Sequence, residues 1–182
     1  LDKYLRDKFL ATANKWYANP NGVSGATIDT VDTEFTAETL EGITELAEVL
    51  SLPKVTRGAD NFYGFIGTPR QTRQMRGSAG WLDARKYVNP ADMLNGEAGR
   101  LEDTVFLSTT QMPTVAGAGA GGADVDRGIL VGANAVGFGE SIPMEIIPGE
   151  IEDYGRIQNF AWYAIAGAGI LRDYLIEVVT KR

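Results

Sequence analysis

Apolar positions divide the chain into helical and extended stretches. Leu1, Leu5, Phe9, Ala13 and Trp16 or Tyr17 recur at helical spacing, with Asp2, Lys3, Arg6, Asp7 and Lys8 largely off that line. This predicts an amphipathic helix over about residues 2–17, ended by the breakers Asn19, Pro20, Asn21 and Gly22. Residues 23–34 are small, polar and rich in threonine, and read as a linker or irregular extended piece. The clearest helix covers residues 37–50: Leu40, Ile43, Leu46, Ala47 and Leu50 share one face and Pro53 ends it. A buried strand is expected over 62–66, then a sharp turn and a short helix. Thr68 can cap that helix, Pro69 suits its first position, Gln71 sits where a capping box wants Glu or Gln, and Gly77 supplies the stop. A helical turn over 81–87 should end at Asn89 and Pro90, and Asn95 and Gly96 should turn the chain into a strand over 104–109.

The second half is richer in glycine. Residues 117–122, G-A-G-A-G-G, read as a mobile surface loop, with Gly117, Gly119, Gly121 and Gly122 its flexible positions. Residues 128–138 read as a strand or strand pair bent at glycines. Pro143 and Pro148 bracket M-E-I-I, a short extended piece, and Glu150, Glu152 and Asp153 read as an acidic, solvated turn. Two apolar runs close the chain. Residues 174–179 read as a strand, whereas 160–171, F-A-W-Y-A-I-A-G-A-G-I-L, are too evenly apolar for periodicity to choose helix or strand.

Composition narrows the chemistry. The 182 residues can form one domain, or one domain with an extended arm, and contain neither cysteine nor histidine. Disulfides, thiolate metal sites, cysteine nucleophiles and histidine acid–base chemistry are thereby excluded, so an enzyme would depend on carboxylate, lysine or tyrosine. The net charge of −7 disfavours nucleic-acid binding, and no apolar run reaches the length of a membrane span.

Two charged rows are candidate contact surfaces. Glu34, Glu38, Glu41, Glu45 and Glu48 step by four and three residues along the second helix, opposite its apolar face. Arg70, Arg73 and Arg76 step by three along the short helix. Solvated faces are the simple reading of both; the sharper one pairs the glutamates with these arginines between neighbouring subunits. The glycine loop matches G-x-G-x-x-G at Gly117, Gly119 and Gly122, but a phosphate there would meet Asp124 and Asp126, and A-D-V-D-R-G is a poor helix start. The two aspartates lack the remaining ligands of a calcium loop. No cofactor, metal or catalytic constellation is expected.

The order of the helix over 37–50, F-Y-G-F-I-G, T-P-R-Q-T-R-Q-M, W-L-D-A-R-K-Y, L-N-G-E-A-G-R-L-E-D-T-V-F-L-S-T-T and F-A-W-Y-A-I-A-G-A-G-I-L-R-D-Y-L-I-E-V-V-T resembles tailed-bacteriophage major capsid proteins. The likeness is greatest to members in which an N-G-E-x-G-x-[LI] stretch, here residues 95–101, precedes a strand ending in a polar pair. It covers about residues 35–180.

The resemblance implies an α+β chain with the Hong Kong 97 capsid fold, in which an axial domain with a central sheet and flanking helices joins a peripheral domain with a spine helix. By position, residues 1–34 would be spine helix and linker, 35–160 axial domain, and 161–182 the C-terminal return. The chain would begin near the spine helix, as part of a longer product. It would self-assemble into pentamers and hexamers of an icosahedral head, in the host bacterial cytoplasm, and enclose double-stranded DNA without sequence-specific binding. Scaffold, portal or decoration proteins would be its partners, with no membrane and no enzymatic activity. The alternatives are an encapsulin-like shell around enzyme cargo, a phage decoration or tail component, and a nucleotide-dependent enzyme built on the glycine loop.

Overall fold

The computed structural model describes residues 2–18, 27–58, 60–79, 99–101, 103–152, 154 and 156–182. The larger of two sheets is mixed and runs in the order β1 (Lys15–Tyr17), β10 (Leu175–Lys181), β7 (Val125–Val131), β3 (Asp60–Gly67), β5 (Thr104–Ser108), β4 (Gly99–Leu101). Two short strands are added, β2 (Val55–Arg57) on β3 and β6 (Thr114–Val115) on β7. β1 runs parallel to β10 and β3 parallel to β5; the other pairs are antiparallel. A separate two-stranded sheet pairs β8 (Val136–Glu152) with β9 (Ile157–Ile170).

The core lies on both faces of β10, whose residues Leu175 to Thr180 are all buried. Ile176 and Val178 turn to one side and join Leu40, Ile43 and Ala47 of α2 (Ala37–Val49), whereas Leu175 joins Ile129 and Ala135 on the other. Two-sided burial erases the alternation expected of a half-exposed strand. The centre of the first cluster is aromatic: Phe35 stacks on Phe65 at 4.6 Å between ring centroids, and Phe106 meets Phe65 at 5.8 Å. Gly128 makes room for this arrangement, because a Cβ there would lie 2.7 Å from the Phe65 ring.

The helix α3 (Pro69–Gly77) starts as its sequence dictates. Thr68 accepts from the Gln71 amide and the Gln71 side chain returns a bond to the Thr68 amide, completing the capping box ahead of Pro69. Gln71 is fully buried, and its amide also donates to the Thr180 hydroxyl at 2.9 Å, tying α3 to β10.

The first helix is shorter than its periodicity predicts. α1 spans Asp2–Phe9 rather than residues 2–17, and Trp16 is buried in β1. The reason is a competition for backbone bonds. The buried Thr12 hydroxyl reaches the Asp173 carboxylate and the Leu175 carbonyl, and the Asn14 amide donates to the Asp173 and Leu175 carbonyls. Such bonds offer Thr and Asn an alternative to helix continuation. The Glu177 amide then bonds the Asn14 carbonyl, and the chain enters the sheet. An eight-residue α1 therefore replaces the long helix expected at this position.

Other expectations fare differently. The run over 160–171 is strand as far as Ile170, M-E-I-I is part of the 17-residue β8, and Glu150 lies in that strand rather than in a turn. The expected boundary at 160/161 falls inside β9. The breakers at 19–22, the helical turn at 81–87 and the Asn95–Gly96 turn lie outside the described residues.

Candidate functional site: charged helix faces and an exposed arm

Both charged rows point outward. Glu38, Glu41, Glu45 and Glu48 are exposed, because Leu40, Ile43 and Ala47 turn the opposite face of α2 into the core; Glu34 is exposed too, but it precedes the N-cap Thr36 and so lies off the helical row expected for it. Glu38, Glu41 and Glu45 take part in no ion pair among the described residues. Glu48 lies close enough to Lys54 to help raise its pKa, although the main cause is the hydrogen bond from Lys54 to the Asp103 carboxylate at 3.1 Å. On α3, Arg70, Arg73 and Arg76 are exposed, and Arg76 is already engaged within the chain. The structure thus leaves two surfaces of opposite sign without bringing them together in one subunit.

The glycine loop is anchored as well as exposed. Gly117, Gly121 and Gly122 face solvent, and the last two have φ of 64° and 80°. Gly119 is buried, contrary to a wholly surface loop: it bonds Ala123 through its amide at 2.8 Å, while Ala120 donates to the fully buried Val31 at 3.0 Å. A Cβ on Gly119 would lie 2.8 Å from Val125 and 3.0 Å from the Val31 carbonyl, so glycine is needed there for close approach.

A shallow cavity of about 260 Å³ opens at the head of α3, bordered by Thr68, Arg70, Thr109, Thr114, Asp126 and Arg182. Asp126 is buried but satisfied, accepting from the Thr68 and Thr114 hydroxyls. Among the described residues no group of three or more carboxylates gathers as a metal site, and no helix is long and apolar enough to cross a membrane.

The feature that sequence patterning missed is the arm formed by β8 and β9. At about 3.3 Å per residue, a 14-residue β9 reaches about 46 Å. The arm joins the body at its base, where Phe9, Val136 and Ile170 pack around Ile129, Ala135 and Leu175. Beyond the base, Phe138 is 57% exposed, Ile146 66%, Phe160 67% and Trp162 74%. The register puts these four on one face, since Phe138 pairs with Ala168, Ile146 with Trp162 and Pro148 with Phe160. An isolated two-stranded sheet is marginal in water, and an apolar face of this extent marks an interaction surface. The available signal was a 14-residue run without proline or charge following an acidic, proline-broken one.

No protein-family model matches the chain, and no curated protein matches its sequence. Solved structures do. The capsid of Ralstonia phage GP4 superposes with a TM-score of 0.70 at 20% identity over 88% of this chain. The cyanophage Pam1 capsid gives 0.72 at 16% over 92%, and the acid-stable capsid of Helicobacter pylori bacteriophage KHP30 gives 0.69 at 14% over 100%. The fold is that of phage capsid chains. This α+β chain spans 51%, 54% and 65% of the length of those three capsid chains, so it corresponds to between half and two thirds of each.

Proposed function

We propose that this chain is the shell-forming part of a major capsid protein of a tailed phage, built on the Hong Kong 97 fold. The observation that carries the reading is the match of 88–100% of the chain to phage capsid chains at TM-scores of 0.69–0.72. In this reading the central sheet with α2 and α3 belongs to the axial domain, and α1 with the β8–β9 arm belongs to the peripheral domain. Subunits join as pentamers and hexamers in the host cytoplasm and close into an icosahedral head around double-stranded DNA, with scaffold, portal or decoration proteins as partners. The net charge of −7 suits a container that does not hold its DNA by phosphate contacts.

The role is structural. Each subunit of a closed shell touches several copies, so modest interfaces sum to a stable particle. The exposed arm supplies apolar contact area. The glutamates of α2 and Arg70 and Arg73 of α3 supply charge complementarity, which fixes register more than affinity.

Electron microscopy and sedimentation of the protein expressed from its complete reading frame test this. Closed particles tens of nanometres across, empty or filled with DNA, are the expected result. Particles loaded with an enzyme would move the assignment to an encapsulin-like shell, and a persistent monomer in the presence of co-expressed scaffold would overturn self-assembly.

A further inference from the structure

The arm joins the body through two connections, residues 132–135 and 171–174, which are bonded largely to each other. The Gly132 amide donates to the Tyr174 carbonyl at 2.9 Å, and the Leu171 and Arg172 amides share the Ala135 carbonyl at 2.9 and 3.4 Å. These bonds hold the connections together but leave open the angle at which the pair departs from the central sheet. A long ribbon on a narrow base is a lever, so that angle depends on what grips the base from outside. On the β3 side, the Ala133 amide donates to the Pro53 carbonyl at 2.7 Å. On the β1 side, three consecutive residues of the N-terminal segment grip Asp173. Its carboxylate accepts from the Thr12 hydroxyl and from the Ala13 amide at 3.3 Å, and its carbonyl accepts from the Asn14 side chain at 2.9 Å.

We propose that residues 6–18 are a brace that holds the arm at one angle to the central sheet, with Asp173 the positioning residue through which it acts. The brace is fixed to the body on both sides of its grip. Beyond it, Trp16 is buried in the main core and the Ala18 amide bonds the Val179 carbonyl at 2.9 Å. Ahead of it, Arg6 donates to the Gln111 carbonyl at 2.9 Å, and Phe9 joins Val136 and Ile170 of the arm base around Ile129 and Leu175 of the sheet. The grip itself is strong and directional. Asp173 is exposed, yet it takes the hydroxyl of a Thr12 that is 3% exposed, and bonds to an ionised acceptor are stronger than neutral ones. The segment forgoes the helix its periodicity allows in order to make these bonds. The brace deepens the shell reading and rests on it for its purpose, because contacts outside the subunit align only if every copy presents its arm at the same angle.

Spin labels report that angle as a distance distribution. They are placed on Glu41→Cys in α2 and Glu150→Cys in β8, both exposed, in protein expressed from the complete reading frame and measured as isolated subunits; the 182 residues hold no cysteine to compete. Asp173→Ala should widen the distribution at least about twofold, and Thr12→Val should do the same. Asp173→Asn keeps an acceptor for the Thr12 hydroxyl and should restore the parent width. Asp32→Ala breaks the pair with Lys181 at 2.6 Å, at the far end of β10, and should leave the width unchanged. A parental width in Asp173→Ala would overturn the brace, as would equal widening by Asp32→Ala. Electron microscopy of the same proteins separates this from the shell reading. Widening by Asp173→Ala, with irregular or no particles where the parent closes uniform ones, supports both. Widening with a parent that never closes particles supports the brace and removes the shell. An unchanged distribution beside uniform parent particles removes the brace and leaves the shell standing.

Discussion

β10 and β9 are both apolar strands in the same chain, and they meet opposite fates. Every residue from Leu175 to Thr180 is buried, whereas Phe160 and Trp162 are 67% and 74% exposed. Composition does not separate them; neighbours do. β10 lies between β1 and β7 and is covered on both faces, while among the described residues β9 pairs with β8 alone and meets the body at its base. Apolar area is stabilising once it leaves water, at about 25 cal/mol per Å². The central sheet realises that gain within one subunit, and the arm can realise it only against another surface. One region therefore holds the subunit together and the other leaves apolar area for a contact of the kind the proposed shell would supply, and substitutions in the two should be separable.

The sharpest separation comes from the aromatic centre. Phe65→Ala removes the ring that contacts both Phe35 and Phe106 in a site where no exposure remains. Truncating a buried Phe costs about 3–5 kcal/mol, so urea denaturation of the isolated subunit should show either a correspondingly lower midpoint or no folded protein. A loss below about 1 kcal/mol would mean that the centre of the sheet is not where stability resides.

Glu177→Gln should follow. Glu177 is 2% exposed on β10, hydrogen-bonded to Arg127 on β7, with Lys15 of β1 at 3.4 Å. Its Oε2 lacks a well-aligned hydrogen bond, so Lys15 acts on it through charge. Breaking a fully buried pair costs about 3–5 kcal/mol, and the 42% exposure of Lys15 lowers the expectation here to about 2 kcal/mol. Hydrogen exchange should report the loss first at β1, the edge strand held by this pair.

Gly42→Ala comes next. Alanine raises helix propensity by about 1 kcal/mol over glycine, but its Cβ would sit 2.7 Å from the Trp16 ring. Overpacking costs about 1–3 kcal/mol, which leaves a net destabilisation of about 1 kcal/mol in thermal denaturation. A more stable variant would show that Trp16 can shift without cost.

These positions also show what a sequence can and cannot carry. The start of α3 was legible because Thr68, Pro69 and Gln71 settle it among themselves within four positions. The end of α1 was not, because Thr12 and Asn14 choose partners at Asp173 and Leu175, at the other end of the chain. β9 hid for a different reason: beyond its base, residues 158–167 are exposed on both faces, so no one-sided burial imprints a period of two. The exposed glutamates and arginines could be read from helical spacing alone, since the buried face of α2 fixes the outward one. Gly119 could not, because its burial depends on Val31 across a loop.

The smallest effect on the isolated subunit should come from the arm, and it is the most informative. Trp162→Ser removes a side chain that is 74% exposed, so little burial is lost and the unfolding free energy of the isolated subunit should change by no more than about 0.5 kcal/mol. If the arm forms an interface in the proposed shell, assembly should respond far more strongly, because the lost contact repeats in every copy. Sedimentation should then show subunits or small oligomers at concentrations where the parent chain forms particles. If Trp162→Ser instead lowered subunit stability as Glu177→Gln does, the arm would be part of the subunit core. The distinction between a fold-specifying sheet and an assembly-specifying arm would then fail.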